Sequence, residues 1–124
     1  MPTTVKVIRT QEFVRARPNG TFDLEASEQM LMDIAKASAN MQDVQVLIDV
    51  RHARGALTAG DLWYLADRLG RYRHAFSGKT AVLCPTEKFD RARFFALVAD
   101  GKGFDVQAFT SYEEAMTWLA GEET

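Results

Sequence analysis

The residues best suited to chemistry in this sequence stand together in LIDVRHARGALTAGD, positions 47 to 61. Asp49, Arg51, His52 and Arg54 follow an apolar run, and Gly55 and Gly60 punctuate the stretch after it. Histidine titrates near neutrality and an aspartate can orient it, which is the pairing that general acid–base catalysis uses. No serine or cysteine in a nucleophile motif accompanies His52, so the expected arrangement is a loop histidine and a strand-end aspartate bonded to local amides. Gly55, four residues and Gly60 imitate the start of a phosphate loop, but Asp61 and Leu62 stand where lysine and a hydroxyl residue belong. Without that lysine the nucleotide motif fails. His and Cys residues nowhere fall at metal-ligand spacing, so neither a metal site nor a cofactor is expected.

Thr58-Ala59-Gly60-Asp61 has a structural meaning of its own. A threonine three residues before an acidic residue is a capping box, in which the hydroxyl accepts from the first-turn amides and the carboxylate reaches back. Around it, Arg51, Arg54, Arg68, Arg71 and Arg73 give either a solvated charged face or a small basic patch for an anionic headgroup or an acidic partner. Arg91 and Arg93 would extend such a patch. Trp63-Tyr64 and Phe94-Phe95 either pack between helix and sheet or line a groove for a partner or an apolar ligand.

These residues need a scaffold, and the apolar spacing supplies one. Val5 and Val7 alternate with polar neighbours, as does Phe13 to Arg17, predicting two opening strands with a turn at Thr10–Gln11. Pro18, Asn19 and Gly20 are expected to close that pair. Asp23 then caps a helix with Glu25 and Glu28 in its first turn, and Met30, Ile34, Ala37 and Met41 form its apolar face. Val44 to Val50 reads as a central strand covered on both faces. A helix over 61–74 carries Leu62, Leu65, Ala66, Leu69 and Tyr72. A strand from Thr80 to Cys84 ends at Pro85, and a third helix with Phe94, Phe95, Leu97 and Val98 stops near Gly101 and Gly103. The strand Phe104 to Phe109 precedes a last helix, capped by Ser111 and carrying Ala115, Trp118 and Leu119. The order ββαβαβαβα predicts an α/β fold, a mixed, mainly parallel sheet of about five strands with four helices.

At 124 residues the chain is expected to be one domain, residues 1–124, with an ordinary soluble balance of 47% hydrophobic and 26% charged residues. A formal charge of -2 gives no general attraction to nucleic acid, so none is expected as a partner. No apolar run reaches the roughly 18 residues of a transmembrane helix. The opening MPTTVKVIRT lacks the apolar core of a secretory signal, and the single cysteine, Cys84, fits a reducing cytoplasm.

Three stretches carry a resemblance to a known family. NGTFD, 19 to 23, resembles the glycine-containing turn before the first helix of STAS (anti-sigma-factor-antagonist) domains. VLIDV, 46 to 50, resembles the strand whose aspartate precedes their signalling loop, and GFDVQAFTSYEEAMTWL, 103 to 119, is similar to the last strand and helix of a stand-alone branch related to CRAL-TRIO lipid-binding domains. The resemblance implies a non-enzymatic cytoplasmic protein that acts by binding. In signalling members a serine in the loop is phosphorylated, within a pattern of Asp, Ser or Thr, Ser or Thr, Gly. Placed without gaps from Asp49, that pattern falls on Leu57, Thr58, Ala59 and Gly60. Ala59 thus occupies the acceptor position, and Thr58 is the one hydroxyl left, expected as a cap rather than a phosphoacceptor. The candidate binding residues are Arg51, His52, Arg54, Thr58, Ala59, Gly60, Asp61, Trp63 and Tyr64. The partner is a regulatory protein or, as the CRAL-TRIO branch implies, a lipid-like apolar molecule; self-association as a homodimer stays open.

Overall fold

A computed structural model describes residues 4–9, 13–55 and 57–121. Two opening strands, β1 (Thr4–Arg9) and β2 (Val14–Thr21), pair antiparallel; the expected turn at Thr10–Gln11 lies outside the described residues. Helix α1 (Leu24–Ala37) follows, then β3 (Val46–Asp49), a two-residue strand β4 (Ala53–Arg54) and α2 (Ala59–Arg68). A 3-10 turn over Leu69–Tyr72 leads to β5 (Lys79–Leu83), and a short one over Thr86–Lys88 leads to α3 (Phe89–Gly101). Strand β6 (Asp105–Phe109) and α4 (Tyr112–Ala120) complete the order. The main sheet runs β1-β2-β3-β5-β6, parallel from β2 onward, and β3 is central as the apolar run predicts.

Period-two alternation sorts the sheet into two faces. Val14, Ala16, Val46, Ile48 and Val82 face the helices α1, α2 and α3, in one core with Leu31, Ile34, Leu65 and Phe95. Leu47, Ala81 and Leu83 face the other way, against Ala115, Trp118 and Leu119 of α4. All four residues of β3 are buried, which is why its sequence is continuously apolar until Asp49.

Local chemistry sets the boundaries. Asp23 Oδ1 accepts from the Ala26 amide at 2.8 Å, and Ser111 Oγ accepts from Glu114 at 3.2 Å, so α1 and α4 start where their caps stand. Gly78 is required by close approach: a Cβ there would lie 2.3 Å from the Val44 carbonyl oxygen.

Several expectations are corrected. Pro18, Asn19 and Gly20 do not close the hairpin; they continue β2, which pairs with β3 through Ala16 and with β4 at Gly20 and Thr21. Pro18 falls in the gap between those two pairings, where no ladder donor is asked of it on that edge. The 61–74 helix begins earlier, at Ala59, and tightens to 3-10 geometry after Arg68, which still keeps Leu69 buried. Met41 lies beyond α1 yet packs on the core, and Glu28 lies past the first turn. Instead of greeting the helix dipole, Glu28 pairs with Arg68 at 3.0 Å.

Candidate functional site

Strand β3 delivers Asp49 to the carboxyl end of the sheet with no exposure to water. A buried carboxylate needs donors. Here they come from Arg51, whose backbone amide and Nε reach Asp49 Oδ1 at 3.1 and 2.9 Å and whose Nη2 reaches Oδ2 at 2.9 Å. Arg17 Nε on β2 stands 3.9 Å from the same Oδ2. Burial pushes the Asp49 carboxyl up, but the Arg51 hydrogen bonds and the charges of Arg51 and Arg17 outweigh it and hold it below its ordinary value. The expected aspartate bonded to local amides is therefore mostly an ion pair.

His52 is an exposed loop residue, as expected. Its Nε2 lies 3.2 Å from Arg17 Nη2, and since a guanidinium only donates, that nitrogen is the acceptor. Among the described residues no hydrogen bond joins His52 to Asp49. Arg15 and Arg51 both stack on Tyr112, at 5.5 and 6.0 Å from the ring centroid, so the first residue of α4 closes the cluster. Arg17 and Tyr112 escape sequence reasoning. The alternation of Arg15 and Arg17 with Val14 and Ala16 puts the two arginines on one face, but only the β2–β3 register brings that face to Asp49.

Beyond His52 the chain is fastened at several points. β4 pairs with Gly20–Thr21, and the Arg54 carbonyl accepts from the Phe22 amide at 2.8 Å, leaving the Arg54 side chain exposed. Gly55 has φ +96°, the left-handed region that favours glycine. Lys88 Nζ donates to the carbonyls of Ala53 and Gly55, each at 3.2 Å, and Arg91 Nη1 donates to that of Leu57. The capping box forms as expected: Thr58 Oγ1 accepts from the Asp61 amide and Asp61 Oδ2 from the Thr58 amide, both at 3.0 Å. Ala59 and Gly60 are exposed at the start of α2.

The aromatic pairs divide. Phe95 is core, while Phe94, Trp63 and Tyr64 are exposed, Trp63 by 51%. Lys102 Nζ lies 4.5 Å over the Trp63 ring, and the Tyr64 hydroxyl donates to Glu28 at 3.1 Å. Of the two alternatives, packing between helix and sheet holds for Phe95 alone, because the buried stripe of α2 is Leu62, Leu65 and Ala66 and that of α3 is Ala92, Phe95, Ala96 and Ala99. Nor do the arginines form one patch. Arg51 is committed to Asp49, Arg68 to Glu28, and Arg73 stacks 4.9 Å from the Phe104 ring centroid. The predicted site residues consequently split. Arg51 and His52 belong with Asp49 and Tyr112 beside α4, whereas Trp63 and Tyr64 lie on the outward side of α2.

Inside the loop lies a feature that no local motif announces. An apolar cavity of about 150 Å³ sits at the carboxyl end of the sheet, beneath α1, α2 and α3. Its walls include Leu31, Ile48, Leu65, Val82, Cys84 and Phe95, and Gly55, Leu57, Lys88 and Arg91 border it where the side chains reach solvent. Burial raises the Cys84 thiol above its ordinary value. Among the described residues no group of His, Cys, Asp and Glu is arranged to hold a metal ion, and no helix is long and apolar enough to cross a membrane.

Among solved structures the chain is similar to an anti-sigma factor antagonist from Mycobacterium paratuberculosis, with a TM-score of 0.64 and 17% identity over 96% of this chain and 95% of that one. It is also similar to the anti-sigma factor antagonist SpoIIAA in its unphosphorylated form, with a TM-score of 0.57 and 21% identity over 95% and 99%. The fold is the SpoIIAA-like STAS fold. An uncharacterized DUF3478-family protein with a SpoIIAA-like fold from Shewanella loihica PV-4 matches as well, with a TM-score of 0.61 and 21% identity over 94% and 93%. The phosphorylated form of SpoIIAA from Bacillus gives a further match. No family model matches the chain, and no curated protein does.

Proposed function

We infer that this chain is a non-enzymatic, cytoplasmic regulatory protein that acts by binding a protein partner through residues 51 to 64. The observation that carries this reading is the loop leaving β3, fastened by β4 and a complete capping box, which presents Arg54, Ala59, Gly60 and Trp63 to solvent on a SpoIIAA-like STAS fold. Ligands of open α/β sheets gather outside the carboxyl ends of the strands, where this loop lies. Two of the similar structures are anti-sigma factor antagonists, and one of those proteins is matched in both unphosphorylated and phosphorylated forms.

In this chain binding works without the usual serine phosphoswitch. Ala59 has no hydroxyl, and that of Thr58 accepts a hydrogen bond from the Asp61 amide. A phosphate on Thr58 would displace that bond and crowd the Asp61 carboxylate with like charge. The test of the surface is a double substitution, Arg54→Glu with Trp63→Ala, both at exposed positions. Pull-down from the native cell is expected to lose its specific partner. A folded double variant that keeps every interaction would make this surface merely structural.

A second reading, a carrier or sensor of an apolar small molecule, is favoured by the cavity rather than by the CRAL-TRIO resemblance. Native mass spectrometry of freshly purified protein separates the two readings: a retained apolar mass supports the carrier, and a clean apo mass the interaction module.

A further inference from the structure

The borders of the cavity carry charge while its walls do not. Lys88 and Arg91, the two cations among its lining residues, stand where it meets solvent and point at the 53–57 loop. Both donate to neutral backbone carbonyls, those of Ala53, Gly55 and Leu57, and among the described residues neither forms an ion pair. Hydrogen bonds from a cation to a carboxylate are roughly twice as strong as neutral ones, so these two donors hold weaker acceptors than their charge suits. Behind them, Leu31, Leu65 and Phe95 offer an anion nothing but hydrocarbon. Positive edge and apolar interior together describe an amphiphile with a negative head.

We propose that the cavity binds a medium-chain aliphatic carboxylate, its tail between α1, α2 and α3 and its head on Lys88 and Arg91, and that binding weakens the hold of these cations on the carbonyls of Ala53, Gly55 and Leu57. Size sets the chain length. A dry cavity of about 150 Å³ holds a benzene ring, so a tail of about six to eight carbons fits the enclosed part. Charge sets the head, since an ammonium would face Lys88 and Arg91 and a neutral alcohol would gain little from them. The weakening follows from hydrogen-bond arithmetic. Lys88 Nζ gives two of its three N–H donors to the carbonyls of Ala53 and Gly55, so a carboxylate that takes two of them withdraws at least one from the loop, which β4, the Phe22–Arg54 hydrogen bond and the capping box continue to hold. Ligand in the cavity is thereby read out at Ala53, Gly55 and Leu57, next to the proposed partner surface. The inference rests on the apolar-ligand reading and adds head, length and consequence to it.

Calorimetric titration with octanoate, octanol and octyltrimethylammonium tests it, with amide chemical shifts followed in parallel. Octanoate is expected to saturate one site about tenfold tighter than octanol, with octyltrimethylammonium weakest, and to tighten about fourfold per methylene from hexanoate upward. The amides of Ala53, Gly55 and Leu57 should shift with it. K88Q/R91Q, substitutions at the solvent border, should bring octanoate down to the affinity of octanol, with circular dichroism confirming the fold. Equal affinity for octanoate and octanol in the wild type overturns the assignment of the head while leaving the apolar-ligand reading standing. Octanoate binding without loop shifts overturns the coupling. No saturation by either overturns both the proposal and the reading beneath it.

Discussion

Removing the Arg51 side chain would leave the Asp49 carboxylate, wholly out of water, with one backbone donor and the more distant Arg17. Stripping the partner from a fully buried pair costs about 3–5 kcal/mol. The Arg51 side chain is itself 35% exposed, so solvent screening lowers the expected cost of Arg51→Ala to about 2 kcal/mol, read by urea denaturation. The pair also sets an acid limit. Because the folded state holds the Asp49 carboxyl below its ordinary value, the stability it contributes is complete above the unfolded pKa of about 3.9 and is lost as pH falls through the lower folded value. The stability gap between wild type and Asp49→Asn should accordingly stay level from pH 7 to about pH 5 and narrow below about pH 4. A gap that widens on acidification would contradict the assignment. Asp49 itself is legible in the sequence as the polar end of an apolar run. Arg17 and Tyr112 are not, because Arg17 reaches Asp49 through strand register and Tyr112 reaches Arg51 through the docking of a helix that starts 63 residues beyond Asp49.

At the scale of elements, two substitutions of the same chemistry should diverge. Gly78→Ala would drive a methyl into the Val44 carbonyl, at a cost on the order of 3 kcal/mol. Gly101→Ala, at the end of α3 with nothing within 4 Å, should be neutral or gain about 0.5 kcal/mol. Thermal midpoints of the two variants check both. Thr58→Ala should cost about 1 kcal/mol through the lost cap, and Thr58→Ser should restore most of it. Intact protein from its native cell should carry no stoichiometric phosphate on Thr58; finding it there would refute the cap-only role. Periodicity made the long elements readable, since each helix or strand buries one face of its own repeat. β4 has two residues and no period, and its partner Gly20–Thr21 sits in a segment whose Pro-Asn-Gly composition spells a turn. Pairing with β4 overrides that local preference.

The whole molecule encloses its one cysteine. Cys84 is fully buried, and its Sγ lies 3.6 Å from the Phe109 carbonyl oxygen in the wall of the cavity. A bulky disulfide reagent can reach it only through opening of the fold, so labelling should run about a hundredfold or more slower than on a free thiol and accelerate with urea. Labelling within a few-fold of the free thiol would mean that the reagent reaches Cys84 through the cavity itself, without opening of the fold. The cavity is the part of the site that no stretch of sequence reveals. Its lining comes from three strands, three helices and the segments between them, and each wall residue viewed alone is ordinary core. Only the assembled layers leave the space between them.

The fastening of the 53–57 loop also bears on when this surface comes into being. Its cationic clasps, Lys88 and Arg91, lie more than thirty residues downstream of the carbonyls they hold, Lys88 in the 3-10 turn before α3 and Arg91 in the first turn of α3 itself. A nascent chain that has emerged as far as α2 already has β3 and the loop after it but nothing to clasp that loop. The fastened loop is thus a late product of synthesis, finished after the helix that follows β5 has docked.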